Sequence, residues 1–414
     1  MGDIQEEPSN IVAAPSSPQD PQSPLSVFYP IRNNNNRIIE SSTAGPSSPV
    51  TAAKRRWKSN NRGGRKPASI SNPTFSSSST SNGFGFFSDN NGAYIPHQNE
   101  LGEPFINWKH LYHQRTILEN NWRQGNYITR ELPGHTEGIY CVQFDENKII
   151  SGSRDDTIKI WDIKSGYCMR TYSGHRASVL CLQYDDNIIV SGSSDATIIV
   201  WDLATGEKLR TLRGHSESVL NLRFDDKYIV SCSKDRSVRI WQRNTGTCIG
   251  KLTGHRAAVN AVQFQDNYVV SASGDRTIKL WSRETTQCLR TFEGHLRGIA
   301  CIQFDGNIIV SGSSDKTIKI FDVHTGVCLK TLKGHTDLVR TLQFDGNRIV
   351  SGSYDETLRV WDLRTGEMVK NLRDGHTSRV FKLQFNDSKI VSCSQDQKII
   401  VWDFAYNVDK TFLV

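Results

Sequence analysis

The chain has 414 residues, 36% of them apolar, with a formal charge of +7 and nine cysteines. That length exceeds one compact domain of ordinary size unless a barrel or repeat architecture organises it. No run of about 18 apolar residues could span a bilayer, and the start lacks the basic-then-apolar pattern of a secretory leader. A reduced setting, cytoplasm and nucleus, is therefore expected, with no membrane partner. Residues 1–100 hold nine Lys/Arg and seven Asp/Glu, leaving 41 and 36 for the rest. This balance is too mild to require nucleic acid, yet it leaves room for a basic patch facing acidic or phosphorylated partners.

Residues 1–103 are rich in Ser, Asn, Pro and Gly, including "NNNN" and "SSSST". Such a composition buries too little apolar surface to offset its ordering entropy, so a disordered tail is expected. Within it, the basic run Lys54 to Lys66 suits either a solvated tail or nuclear import, and Ser17, Ser23 and Ser48 each precede Pro. Residues 104–126 change character. Pro104 fits a first helical position, Trp108, Leu111, Tyr112, Leu118 and Trp122 recur at helical spacing, and Gly125 is a stop. A linker helix packing its aromatic face on the following domain is expected.

From Tyr127 to the end, at residue 414, the chain repeats. A Gly-His pair recurs at His135, His175, His215, His255, His295, His335 and His376, at a spacing of 40 residues with one step of 41. Each pair precedes an apolar strand, a Ser-containing segment with an Asp, and then an aromatic: Trp161, Trp201, Trp241, Trp281, Phe321, Trp361 or Trp402. Seven such copies define an all-β, seven-bladed propeller of four-stranded blades. Little chain is left after Trp402 for an outer strand, whereas Tyr127–Leu132 matches the outer-strand segments. The ring should close by this N-terminal strand completing the last blade, which removes exposed edges. The cysteines fit this frame. Cys168, Cys248, Cys288 and Cys328 share one repeat position, Cys141, Cys181 and Cys301 another, and no CxxC occurs. Small buried strand residues explain them better than disulfides or zinc.

Seven histidines with Ser and Asp partners could suggest hydrolase chemistry. An active site would need one special copy, however, not seven equal ones. In each repeat an Asp lies four residues after a Ser and six before the aromatic, as in Ser151, Asp155 and Trp161. A buried relay of Trp, Ser, His and Asp within each blade is the expected role, with no catalytic residue, cofactor or metal.

Positions that differ between copies carry no such duty. After the "SGS" or its equivalent stand Arg154, Ser194, Lys234, Gly274, Ser314, Tyr354 and Gln395. Five residues after each His stand Tyr140, Leu180, Leu220, Asn260, Ala300, Arg340 and Phe381. Arg297 and Arg379 fall nearby. Both sets belong where strands meet the Gly-His loops, so Arg154, Lys234, Arg297, Arg340 and Arg379 are expected to ring one mouth from five blades. Glu137, Glu217 and Asp337 temper their field. By contrast Lys159, Lys279 and Lys319 recur at one strand position and read as ordinary solvent-facing lysines. Guanidinium groups bind phosphate through paired, charge-assisted hydrogen bonds of about 1.5–3 kcal/mol each. A mouth for an extended phosphorylated peptide is expected, lined also by Tyr140, Tyr354, Leu338, Ala300 and Asn260. Nucleic acid is the weaker fit, because stacking aromatics do not form a stripe with the cations.

"GIYCVQFDENKIISGSRDDTIKIWD", "SVLNLRFDDKYIVSCSKDRSVRIW", "GHRAAVNAVQFQDNYVVSASGDRTIKLW" and "GHLRGIACIQF" closely resemble the β-transducin-repeat-containing family of F-box/WD-repeat substrate receptors of SCF ubiquitin ligases. The resemblance covers about Phe105 to Phe404 and includes "ILENNWRQGNY" in the linker. It implies a non-catalytic subunit whose mouth reads a doubly phosphorylated Asp-Ser-Gly-x-x-Ser degron and delivers the client for ubiquitin-dependent proteolysis. One phosphate would meet Tyr140, Arg154, Ser178, Ser194 and Leu338. The central region would lie on Arg297, Gly298, Arg340 and Tyr354, with Lys234, Asn260, Ala300, Ser314 and Arg379 completing the ring. Family members also carry an F-box ahead of the linker helix, docking the Skp adaptor and through it the cullin. Residues 1–103 show no Leu-Pro start, amphipathic helices or Trp-containing end of that module. The alternatives are thus a phosphopeptide-binding scaffold without ligase recruitment, and a general WD-repeat platform whose mouth binds no phosphate.

Overall fold

The computed structural model describes residues 108–409 together with the short strands His97–Gln98 and Pro104–Phe105. The expectations for the basic run Lys54 to Lys66, for the Ser-Pro sites and for disorder in most of 1–103 lie outside these residues. The 97–98 segment, which the tail was expected to include, pairs antiparallel with 104–105. Pro104 is therefore extended, opposite Gln98, and does not open the helix. The helix runs Trp108–Gln124, shorter at both ends than 104–126.

Seven four-stranded antiparallel sheets follow, each ordered from the innermost strand outward. Blade 1 comprises Ile139–Phe144, Lys148–Ser153, Thr157–Asp162 and Cys168–Ser173. Blades 2 to 6 begin at Val179, Val219, Val259, Ile299 and Val339. Blade 7 comprises Val380–Phe385, Lys389–Ser394 and Ile399–Asp403, and its outer strand is Ile128–Leu132, as the closure argument expects. In blades 1 to 6 the outer strand returns from a hairpin with a bulge opposite the aromatic. The ladder of Ile128–Leu132 shows none, because no hairpin turn feeds it.

Inside each blade the repeated polar residues join. In blade 1 the Ser151 hydroxyl accepts from Trp161 Nε1 at 2.8 Å and lies 2.8 Å from His135 Nε2. His135 Nδ1 lies 2.7 Å from Asp155 Oδ2, and Thr157 donates to Asp155 Oδ1 at 2.6 Å. The acceptor Asp155 fixes the proton on Nδ1, so Ser151 donates to the other ring nitrogen. The glycine before His is explained by the indole. A Cβ on Gly375 would stand 2.3 Å from the Trp402 ring, and one on Gly134 2.9 Å from that of Trp161. Blade 5 departs from the pattern: Phe321 has no N–H, so Ser311 keeps only its imidazole partner and a longer contact to Lys319 O. The relay aspartates are affected by burial first, which would raise their pKa values. Hydrogen bonds from His and from Thr, or Ser237 in the third blade, outweigh it and hold each carboxyl well below its usual 3.8.

The helix docks chiefly by its C-terminal half, although Gln114 is also buried and accepts from Asp409 N–H at 3.0 Å. Leu118, Asn121 and Trp122 are buried, Trp122 stacks on Phe404 at 3.9 Å, and its Nε1 donates to Asp387 O. Trp108 and Tyr112 are 64% and 75% exposed, so the aromatic face expected to pack does so only from Leu118 onward. The cysteines also divide. Cys141, Cys181, Cys232, Cys301 and Cys393 are buried, but Cys168, Cys248 and Cys288 are exposed and Cys328 half-buried. The exposed set lies at the start of outer strands, where one face meets solvent, so the expectation of burial fails there. Lys159, Lys279 and Lys319 each donate to a Thr across the outer ladder, consistent with an ordinary surface role. No helix among the described residues is long and apolar enough to cross a membrane.

Two outcomes follow from the relay. Ser271→Ala strands the Trp281 indole N–H and His255 Nε2, and should cost about 1–3 kcal/mol in urea unfolding. Ser311→Ala in blade 5 should cost less, because no indole donor is orphaned. Because the folded aspartates titrate below their unfolded values, the unfolded chain takes up protons first as pH falls. Relay stability is therefore complete above about pH 5 and lost progressively below about pH 4, which a series of melting curves would register as a falling Tm.

Candidate functional site

The relay sets the height of the loops above it. In blade 1 the Ser153 hydroxyl donates to Glu137 O at 3.1 Å and accepts from Asp155 N–H, closing the loop against the Gly-His turn. Above that closure, one backbone bond repeats in all seven blades. Arg154 N–H donates to Gly138 O, Ser194 to Ser178 O, Lys234 to Ser218 O, Gly274 to Ala258 O, Ser314 to Gly298 O, Tyr354 to Leu338 O and Gln395 to Arg379 O, at 2.9–3.0 Å. Ser178 with Ser194, Gly298 with Ser314, and Leu338 with Tyr354 are thus bonded neighbours on one face.

The fifth residue after each histidine occupies a β-bulge in the innermost strand, two residues opposing one on the partner. A bulge re-aims the side chain out of the ladder. Tyr140, Leu180 and Phe381, with Leu220 and Tyr354 against them, form an apolar collar. Tyr140 and Phe381 rings are 4.9 Å apart, and Tyr354 meets Phe381 edge-on at 5.9 Å. Asn260 is buried and donates to Ile299 O at 2.7 Å, and Ala300 and Leu338 are buried as well.

The five sequence-selected cations are not brought together equally. Arg379 stacks over the Tyr354 ring at 5.1 Å. Arg340 donates to Ala300 O at 3.3 Å, and its field reaches the Tyr354 phenol. Burial pushes the Tyr354 pKa up to about 12 even though both arginines pull it down. Arg154 is exposed and turns toward Glu137, 3.9 Å away, so a carboxylate partly satisfies it. Lys234, half-buried, and Arg297, exposed, make no side-chain hydrogen bond or ion pair among the described residues. Ser178 donates weakly to Arg154 O at 3.5 Å. The buried hydroxyls of Ser194 and Ser314 and the buried Nε of Arg340 have no hydrogen-bond partner among the described residues. Buried polar groups are normally paired, so these three mark a surface suited to a polar guest.

Below the collar lies a cavity that the sequence reading missed. It is lined by Arg340, Lys382 and Arg223 together with Asn221, Cys141, Cys181 and Cys301. Lys382 stands where the other blades have Cys141, Cys181, Asn221, Ala261, Cys301 and Thr341. Arg223 stands where they have Gln143, Gln183, Gln263, Gln303, Gln343 and Gln384. Most of those glutamines clasp the next blade through its main chain, as Gln384 does by accepting from Phe144 N–H at 2.8 Å and donating to Phe144 O at 3.1 Å. Arg223 breaks this belt. Its Nε and Nη2 lie 3.1 Å from the end of the Gln263 amide, whose oxygen accepts from both once the amide is turned to suit its neighbours. Comparing repeat positions one register deeper would have exposed both residues. Burial, then repulsion from Arg223 and Arg340, brings Lys382 down to about 8. Burial likewise pushes the Cys181 and Cys301 thiols up to about 12, so they are neutral and poor nucleophiles. Among the described residues no group of three His, Cys, Asp or Glu side chains is placed to hold a metal ion.

With blades, relay and loop face in hand, the class is plain: the chain belongs to the family of the WD domain, G-beta repeat, which matches it at 126–162, 166–202, 206–242, 246–282, 286–322, 326–362 and 366–403. Closer likeness is local. It is 48% identical over 59 residues to the probable E3 ubiquitin ligase complex SCF subunit sconB of Arthroderma benhamiae, covering 14% of this chain and 9% of that protein. The same-named subunit of Aspergillus fumigatus is 40% identical over 77 residues, covering 17% and 11%. The matched stretch thus spans about a tenth of these curated relatives. Among solved structures, the crystal structure of the computationally designed Ika8 protein is similar, with a TM-score of 0.57 and 40% identity over 65% of this chain and 85% of that one.

Proposed function

We propose that the chain is a substrate-recognition component of an SCF-type ubiquitin ligase, binding phosphorylated degrons at the propeller mouth. The observation that carries this reading is the electrostatics of that face. Arg379 lies over the Tyr354 ring, the charges of Arg340 and Arg379 both act on its phenol, Arg297 and Lys234 lack carboxylate partners among the described residues, and the Ser194 and Ser314 hydroxyls are unpaired. A phosphate monoester offers acceptor oxygens to all of these donors. The collar of Tyr140, Leu180 and Phe381 supplies apolar contact beside them, and the buried Asn260, Ala300 and Leu338 shape its wall. Ser178, Gly298 and Arg154 line the rim on the bonded loops. The names of the fungal relatives support the ligase context. On this reading the protein does no bond-making itself: it positions a client for ubiquitin transfer by other subunits, a Skp adaptor and a cullin, in the cytoplasm and nucleus.

A peptide carrying Asp-pSer-Gly-x-x-pSer should bind in fluorescence anisotropy with strong salt dependence, and its unphosphorylated twin should not. Arg297→Glu and Arg340→Glu should each weaken it by at least about tenfold, the loss of one charge-assisted contact. Unchanged affinity in both variants would refute a phosphate-reading mouth. Mixing the full chain with the Skp adaptor and cullin and measuring mass by light scattering tests the second half. A stable complex supports ligase recruitment, whereas peptide binding without complex formation favours a phosphopeptide scaffold.

A further inference from the structure

The chamber below the collar poses a charge problem separate from the mouth. Arg340, Lys382 and Arg223 line it, and no Asp or Glu does. Arg223 is held by a neutral amide, that of Gln263, and Arg340 spends one nitrogen on the Ala300 carbonyl. Neither contact cancels a charge. The buried Nε of Arg340 and the buried Oδ1 of Asn221 have no hydrogen-bond partner among the described residues. The thiols of Cys141, Cys181 and Cys301 do not supply the missing negative charge, since burial keeps them protonated. Lys382 and Arg223 remain partly exposed because their ends face the central space, yet protein surrounds them.

The pattern of substitution sharpens this. Two of the three cations stand at repeat positions where every other blade has a neutral residue. The fold itself accepts Gln at the first position and Cys, Ala, Asn or Thr at the second, so neither charge is required by the propeller frame. Like charges crowded in an enclosed space repel unless an anion joins them. Burial is the main reason the Lys382 pKa is lowered, and the neighbouring Arg223 and Arg340 charges lower it further.

We infer that the central channel holds a small oxyanion from solution, bound by Arg223 and Lys382 from blades 3 and 7 and capped by Arg340 of blade 6. Its chemical class is a compact oxyanion such as inorganic phosphate, well below the size of a nucleotide. Bridging three blades across the channel, it would tie the ring together from inside and set the lower edge of the peptide mouth. The inference shares Arg340 with the phosphodegron reading but rests on Arg223 and Lys382, which lie outside the mouth set.

The test titrates inorganic phosphate into the full chain at constant ionic strength, reading Tm by scanning fluorimetry and heat by calorimetry. The probe variants are Arg223→Gln and Lys382→Thr, which other blades already contain, and their double. Lys382→Arg preserves the charge and Arg297→Glu perturbs only the mouth. A saturable rise in Tm is expected for the natural chain, for Lys382→Arg and for Arg297→Glu, with at least about tenfold weaker phosphate binding in the double variant. A double variant that responds like the natural chain overturns the inference, as does a natural chain with no response. A response abolished by Arg297→Glu alone places the anion in the mouth and overturns it as well. Should the double variant unfold, the two single variants and Lys382→Arg decide by the same criterion.

Discussion

A serine hydroxyl that accepts from an indole and donates to an imidazole is the contact on which this propeller depends. In the six blades with a tryptophan it buries five polar atoms with their hydrogen bonds satisfied, which a sheet interior otherwise tolerates poorly. The same bonds pull the Gly-His loop against the middle of its blade, and the adjacent Ser153 hydroxyl pins the next loop at that level. Six near-equal copies and one without its indole donor yield a rim whose loops share a height. Chemistry placed on that rim inherits its geometry from residues that never touch a ligand.

The bulge in each innermost strand separates two jobs that the sequence interleaves. Residues on either side of it, such as Ile139 and Val142, pack into the blade core, whereas Tyr140 is turned to the centre. Variation is therefore free at the bulge and constrained beside it. The collar of aromatic and aliphatic groups divides the centre into an upper region, open and cationic, and a lower chamber, enclosed and cationic. The two carry positive charge for different reasons. Charge above the collar can be screened and shared with Glu137, but charge below it has only neutral neighbours.

Most of the fold was legible because its signals were repeated. Gly-His, Ser, Asp and Trp at fixed offsets leave no other arrangement that satisfies them, and the strand Ile128–Leu132 was found because its pattern matched the outer strands. The helix start is not legible from Pro104, which is equally content in an extended pair, and a proline alone does not distinguish these uses. The outer cysteines misled for a related reason: a repeated apolar position on an edge strand looks like a core position until the sheet order is known. The mouth residues stood out as departures from the frame, but proximity in the repeat did not reveal that Arg154 leans on Glu137 or that Arg379 lies over Tyr354. Arg223 and Lys382 are hard to read from sequence, because a cation among alternating apolar residues has the pattern of a solvent-facing strand residue. Only the bulge shows that this face looks inward.

The closing strand has a consequence for the making of the protein. Glu131 and Lys398, which meet across the seam of blade 7, are 267 residues apart in the chain. A ribosome adding 5–20 residues per second needs roughly 15–50 seconds to travel that distance. Throughout that interval Ile128–Leu132 has been synthesised but its partner strand does not exist, and the growing arc of blades ends in two unpaired edges. The helix Trp108–Gln124 waits equally, since Phe404, on which Trp122 stacks, is made only after the three strands of the last blade. The nascent ring is thus an open arc for almost the whole of its translation, and its most adhesive edges are guarded only when the final blade arrives.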